Sequence, residues 1–243
     1  MADDPIVGAW ELISDSSAGI FIYTGSHYSA VVAPKDRRRS SGERATPDEA
    51  LDAMLSCQAL SGTYTVSGAR ITHVRIANTH PQASNLRAVL DYTIDSDTLT
   101  HTVVSGSAGG RRDGSSTTYS RTPSGGTETA LIGAWELVNH TRQGVLIFTG
   151  THYAVVHMQK ERDLPKGDQY TPEEAFEALY TFGALAGTYT IAGNTVTMER
   201  IASSRPEGVG VAAVQEFTVE GDTLNLRGVS GIRPDDMNWR RVS

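Results

Sequence analysis

The chain repeats itself, and that repetition constrains its fold more than any other feature. Ile6-Val-Gly-Ala-Trp10-Glu-Leu12 returns as Leu131-Ile-Gly-Ala-Trp135-Glu-Leu137, an offset of 125 residues. The same offset carries Tyr23-Thr-Gly-Ser-His27-Tyr28 onto Phe148-Thr-Gly-Thr-His152-Tyr153, and Thr46-Pro47 onto Thr171-Pro172. It also carries Gly62-Thr-Tyr-Thr65 onto Gly187-Thr-Tyr-Thr190, Arg75-Ile-Ala77 onto Arg200-Ile-Ala202, and Asp97-Thr-Leu99 onto Asp222-Thr-Leu224. About 40 identities fall between residues 6 and 106 without a gap. Two copies are too few for a solenoid, so each copy must close its own core. Past Gly106 the first copy carries about five extra residues, with Ala108 to Gly114 reading as a hairpin tip. Thr122 to Thr129 is rich in Ser, Thr and Gly and reads as a linker. The expected division is residues 1–122, a linker at 123–130, and residues 131–243.

Within each copy, short β-type runs alternate with Gly, Asp or Asn turns. In the first copy strands are expected near 6–14, 18–24, 27–33, 62–67, 70–77, 86–94, 97–104 and 117–121. Eight strands in so short a stretch predict closure, which removes the exposed edges of a meander. The expected fold class is all-β, two tandem eight-stranded antiparallel barrels, each interrupted by one short helix. Thr46, Pro47 and Glu49 form a capping box with proline at the first helical position, and Thr171, Pro172 and Glu174 repeat it. The helices' apolar stripes, Ala50, Leu51, Met54 and Leu55, then Ala175, Phe176, Leu179 and Tyr180, must cover something apolar, most simply the mouth or flank of a barrel.

Composition removes several function classes. The net charge of −7 argues against a general polyanion binder, so no nucleic-acid partner is expected. A single cysteine, Cys57, rules out an intrachain disulfide and multi-thiolate zinc sites. The amino terminus has no signal-peptide pattern and no apolar run approaches ~20 residues, so a cytoplasmic protein without a membrane partner is expected. No phosphate loop, nucleophile elbow, paired-carboxylate or metal-ligand motif occurs, and no metal or cofactor is expected. Haem held by a histidine such as His152 or His157 is a competing reading that a Soret band would test.

A Gly-x-Trp on the first strand, a Tyr-Thr-Gly-x-x-Tyr hairpin, a capped helix, Gly-Thr-Tyr-Thr, Gly-Asp-Thr-Leu and a closing aromatic-x-Arg resemble the bacterial and fungal lipocalin-like domains. The likeness spans both copies. It implies that the first-strand Trp packs against an Arg of the last strand at the closed end, here Trp10 with Arg121 and Trp135 with Arg241. It also resembles the plan of two-domain natural-product cyclases, and the family's members include ligand carriers as well.

The interior of each barrel is the expected site, because alternate residues of every strand face inward. Along 70–77, Ile71 shares its face with His73 and Arg75, and Val196 shares its face with Met198 and Arg200. An inward Arg needs a carboxylate or an anionic or carbonyl-bearing ligand; otherwise a twist turns it outward, or Glu11 and Glu136 pair with it. Leu86, Ala88, Leu90 and Tyr92 are matched by Val211, Ala213, Gln215 and Phe217, which makes Tyr92 and Gln215 polar groups in apolar rows. His27 and His152 follow the Thr-Gly turn, placed either to act as a base or to bond the turn itself. The basic run from Lys35 to Arg39, like its counterpart at Lys160 to Arg162, is either a solvated loop or a lid.

Two functions fit. One is an enzyme without metal or covalent nucleophile that confines a polyketide- or terpenoid-like substrate and promotes cyclisation, isomerisation or elimination, with Arg200, Gln215, Tyr92 and Tyr28 as catalytic groups. Its ligand-binding residues would be Tyr23, His73, Arg75, Phe148, Tyr153, Met158, Phe176, Tyr180, Met198 and Phe217. The other is a carrier for a hydrophobic metabolite. The expected partner is a hydrophobic small molecule, and the expected state is a monomer or homodimer.

Overall fold

In a computed structural model the described residues are 4–80, 87–106, 113–123, 125–126, 128–163, 165–167, 169–230 and 236–243. The first meander runs through β1 (Gly8–Leu12), β2 (Ser17–Tyr23), β3 (His27–Pro34), β4 (Gln58–Ser67), β5 (Arg70–Asn78), β6 (Arg87–Asp95), β7 (Thr98–Ser105) and β8 (Ser116–Arg121). Helix α1 (Pro47–Ser56) lies between β3 and β4. The second runs through β9 (Gly133–Leu137), β10 (Arg142–Phe148), β11 (His152–Gln159), β12 (Phe182–Ala192), β13 (Thr195–Ser203), β14 (Ala213–Glu220), β15 (Thr223–Ser230) and β16 (Asp236–Arg241), with α2 (Pro172–Tyr180) between β11 and β12. Each set of eight strands closes into an antiparallel barrel, β1 pairing with β8 and β9 with β16. The hairpin-tip residues 108–112 and the expected strand position Leu86 lie outside the described residues.

Both helices start as the sequence predicts. Thr46 Oγ1 accepts from the Glu49 amide while the Glu49 carboxylate accepts from the Thr46 amide, and Thr171 with Glu174 repeats the box. Their apolar faces lie mainly on barrel flanks, the second of the two expected places, with Tyr180 alone reaching a barrel mouth. They pack against each other and, with Ala50, Met54, Ala175 and Leu179, join a cluster formed by the outer faces of both barrels. The reason is visible in β2 and β10, which bury their last five residues in an unbroken run. Phe21 and Tyr23 fill the first barrel, while Ile20 and Ile22 face Val145, Ile147 and Val156 of the second.

The interface is reciprocal at the 125-residue offset, as expected of two like units about an approximate two-fold axis. Arg37 Nη1 donates to the Ser203 carbonyl at 2.6 Å and Nη2 donates to Ser204 O at 3.0 Å and Ala53 O at 2.8 Å. Arg162, its repeat partner, donates to Asn78 O at 3.0 Å, and to Thr79 O and Ala178 O at 3.4 Å. The basic segments are therefore not simply solvated loops or lids, since one arginine from each ties its own helix to the opposite barrel.

One end of each barrel is shut as the resemblance implies. Trp10 Nε1 donates to Ile6 O at 2.8 Å, and the Arg121 guanidinium lies 4.0 Å from the Trp10 ring centroid while donating to the Pro5 and Val7 carbonyls. Trp135 donates to Leu131 O at 2.8 Å, and Arg241 lies 4.0 Å over its ring and donates to Ala130 and Ile132 carbonyls. The opposite ends carry the openings. No helix among the described residues is long and apolar enough to cross a membrane.

Candidate functional site

Each barrel has an inward arginine beside an inward tyrosine, placed by the same local device. β4 and β5 slip register between Ser61 and Gly62, opposite Arg75, and β12 and β13 slip between Ala186 and Gly187, opposite Arg200. A Cβ on Gly62 would sit 1.9 Å from Val74 O, and one on Gly187 1.8 Å from Glu199 O, so only glycine permits this bulge. Up to the bulge, alternation holds and Ile71, His73 and Arg75 face the lumen. Beyond it Ala77 turns to the interface.

The first lumen is polar at its centre. Tyr23 Oη lies 2.9 Å from His73 Nε2 and 3.3 Å from His101 Nε2, so the hydroxyl bonds both imidazoles. Tyr28 stacks on His73 with centroids 4.0 Å apart. Burial, then His101 and Arg75, hold His73 well below the usual histidine range, so it is neutral at physiological pH. A chamber of about 40 Å³ lies beside these groups, lined by His73, Arg75, His101, Gln58 and Tyr119 among others. Val32 and Gln58 also line a polar vestibule of about 450 Å³ at the open end.

In the second barrel Phe148, Met198 and Leu226 replace Tyr23, His73 and His101, and the lower lumen is an apolar core. Its open end holds the larger chamber, about 370 Å³. Phe182, Leu185, Val211 and Met237 supply apolar wall, and Arg142, Arg200, Arg205 and His157 supply polar groups. Gly183 leaves room for the His157 ring, since a Cβ there would meet its Nε2 at 2.5 Å and push the imidazole aside. Burial, with Arg142 and Arg205 adding, lowers the His157 pKa to about 4, so the imidazole is neutral in a mouth lined by three arginines and the Glu207 carboxylate. Tyr180 closes one side, its ring 4.9 Å from the Arg205 guanidinium and 4.3 Å from that of Arg44.

The four residues expected to act together are divided between the barrels. Arg200 lines the second chamber, and Gln215, 4% exposed, faces the lumen of the second barrel on β14. Tyr28 is buried in the first lumen, and Tyr92 packs lower in that barrel against its closed-end core, near Asp4. Among the expected ligand contacts, Tyr23, His73 and Arg75 gather in the first lumen, and Phe148, Tyr153, Met198 and Phe217 in the core of the second. Met158 and Phe176 lie outside both lumens. Each packs in the interface cluster, because the outward face of β11 and the stripe of α2 are covered by the other barrel. Tyr180 belongs to that cluster and also to the rim of the second chamber.

Arg75 and Arg200 do not pair with Glu11 or Glu136. Glu136 accepts from His27 Nε2 at 3.3 Å and lies 3.7 Å from Arg240. His27 Nδ1 bonds the Ser26 hydroxyl at 2.7 Å, so both its ring nitrogens are engaged and it is no free base. His152 Nδ1 likewise bonds Thr151. Several contributors were not anticipated, among them three polar groups that titrate or carry charge. His101 was detectable from its alternation with Leu99 and Val103. Arg142 and Arg205 were not, because they reach the chamber from a strand start and a loop. No group of three or more His, Cys, Asp or Glu among the described residues is placed to hold a metal.

No protein-family model matches this sequence, and no curated protein is similar to it. Among solved structures, the DNA polymerase III beta subunit of Thermotoga maritima shares 10% identity over all of this chain and 78% of that chain, with a TM-score of 0.15. That likeness carries no argument about fold or function.

Proposed function

We propose that the second barrel binds a small molecule with an apolar body and a carboxylate, enolate or carbonyl group, as in the carriers among lipocalin-like proteins. The observation that carries this reading is the chamber of about 370 Å³ whose wall combines Phe182, Leu185 and Met237 with Arg200, Arg142 and Arg205, three arginines against the one carboxylate of Glu207. Chambers of this size, mostly apolar with a few placed polar groups, suit small ligands. Beneath the chamber, Tyr153 Oη is buried near Arg200 with no hydrogen-bond partner among the described residues.

A catalytic version rests on Arg200 and His157 sharing one chamber. There the guanidinium would polarise a carbonyl and the neutral imidazole would take up a proton, with confinement supplying the folded geometry for cyclisation or isomerisation of a polyketide- or terpenoid-like substrate. The division of Arg200 and Gln215 from Tyr28 and Tyr92 favours binding over the four-residue catalytic set.

The test uses 8-anilinonaphthalene-1-sulfonate, an apolar anionic dye, with decanoate as competitor. Expected are one displaceable dye per chain and a 10- to 100-fold weaker affinity in Arg200→Met, the size of a lost charge-assisted contact. Arg75→Met should leave dye binding unchanged. Dye binding indifferent to Arg200→Met overturns the reading. A candidate substrate recovered unaltered selects the carrier, and a transformed one selects the enzyme.

A further inference from the structure

The first barrel buries a guanidinium that no described carboxylate balances. Arg75 is 2% exposed, and both its terminal nitrogens, Nη1 and Nη2, lack a hydrogen-bond partner among the described residues. The Tyr28 hydroxyl is the neutral polar group nearest the guanidinium, close enough to interact with it but not in strict hydrogen-bond geometry, and it carries no charge that could balance it. No described carboxylate pairs with Arg75, and the two histidines that feel its charge, His73 and His80, are both held toward the neutral form. Guanidinium keeps its proton under all physiological conditions, so the charge cannot be removed by titration. An uncompensated buried cation is expensive, and a fold that retains one has a counter-ion for it.

The chamber beside it fits that purpose. It holds about 40 Å³, where one water needs ~10–15 Å³. That admits a particle of two or three heavy atoms and excludes an amphiphile. The vestibule of about 450 Å³ reaches it through Val32 and Gln58, giving a polar route from solvent.

We propose that the first barrel is a binding site for a small monovalent anion of halide or formate size, held in this chamber by the Arg75 guanidinium that lines it. The two barrels then divide the work, a small-anion site in one and an amphiphile site in the other, and the anion site stands whether or not the second barrel binds as proposed.

Thermal unfolding in increasing sodium formate tests it. The wild type should gain a saturable ~2–4 °C, Arg75→Met should lose the saturable part, and Arg200→Met should retain it. A shift identical in wild type and Arg75→Met, or one abolished only by Arg200→Met, overturns the proposal. Should Arg75→Met fail to fold, wild-type crystals soaked in sodium bromide decide. An anomalous peak within hydrogen-bond distance of the Arg75 guanidinium supports the site, and water alone there overturns it.

Discussion

Arg37 Nη1 donates to the carbonyl oxygen of Ser203 at 2.6 Å, joining the segment before α1 to the last residue of β13 in the other barrel. Ser203 lines the second chamber, so this bond fixes one edge of the proposed binding site from the opposite half of the chain. Arg162 does the same for Asn78 and Thr79 beside the first barrel. The two arginines also hold Ala53 O and Ala178 O near the ends of the helices, which have no basic residue in their last turns.

Arg37→Ala and Arg162→Ala should each destabilise the protein by about 1.5–3 kcal/mol, the usual effect of losing charged donors to buried carbonyls. Urea denaturation followed by tryptophan fluorescence measures this. Arg37→Ala should also weaken dye binding in the second barrel, a loss that an effect confined to the first barrel would not produce.

Tyr23 and Phe148 occupy the same position in the repeat with opposite surroundings. Tyr23→Phe removes the hydroxyl shared by His73 and His101 and should cost about 1–3 kcal/mol. Phe148→Tyr buries a new hydroxyl among Met198, Leu226 and Leu224 and should also destabilise, by about 1–3 kcal/mol. Thermal denaturation of both checks the pair, and a stabilising Phe148→Tyr would contradict the apolar account of the second lumen.

Acid should weaken the fold through two histidines. His73 and His157 are neutral when folded because burial lowers both, His157 to about 4, from an unfolded value near 6.5. The unfolded chain therefore binds more protons below pH 6.5, so their contribution is complete above that value. It declines as pH falls, for His157 down to about pH 4. Each contributes at most ~1.4 kcal/mol per pH unit across its window. Urea midpoints between pH 7 and 4 should fall, and Met at position 73, the residue its repeat partner Met198 already uses, should flatten the slope.

Gly62→Ala should cost about 1–3 kcal/mol or more, because its Cβ would collide with Val74 O. The damage should be local to the bulge that aims Arg75, so the formate-dependent shift should disappear with it while dye binding in the second barrel persists. Gly68→Ala makes a useful contrast. Nothing lies within 4 Å of its Cβ, and its φ of +61° leaves only the left-handed backbone penalty.

Much of the architecture follows from local chemistry in the sequence. Turn residues at matched positions and eight short alternating runs define each meander, and the Thr-Pro-x-Glu boxes start both helices where expected. Alternation also placed His73, Arg75, Tyr92 and Gln215 on inward faces, because strand geometry alone sets that parity. The placement of Met158 and Phe176 failed for the complementary reason. Parity separates the two faces of a strand but does not say which outward face another barrel will cover. The unbroken apolar run Ile20-Phe-Ile-Tyr23 carried that signal, since a strand apolar on both sides is buried on both.

The sequence by itself determined two barrels and an arginine at the same strand position in each, while the closed ends at Trp10 with Arg121 and Trp135 with Arg241 followed from the family resemblance. Only the tertiary structure decided what Arg75 and Arg200 meet. Arg75 lines a chamber of a few atoms with no described carboxylate beside it, while Arg200 joins Arg142 and Arg205 around a larger one. The physical reason is that a lumen's volume and field are sums over strands distant in sequence. His101, Phe182, Arg142 and Arg205 shape these sites from elements that no local pattern ties to β5 or β13.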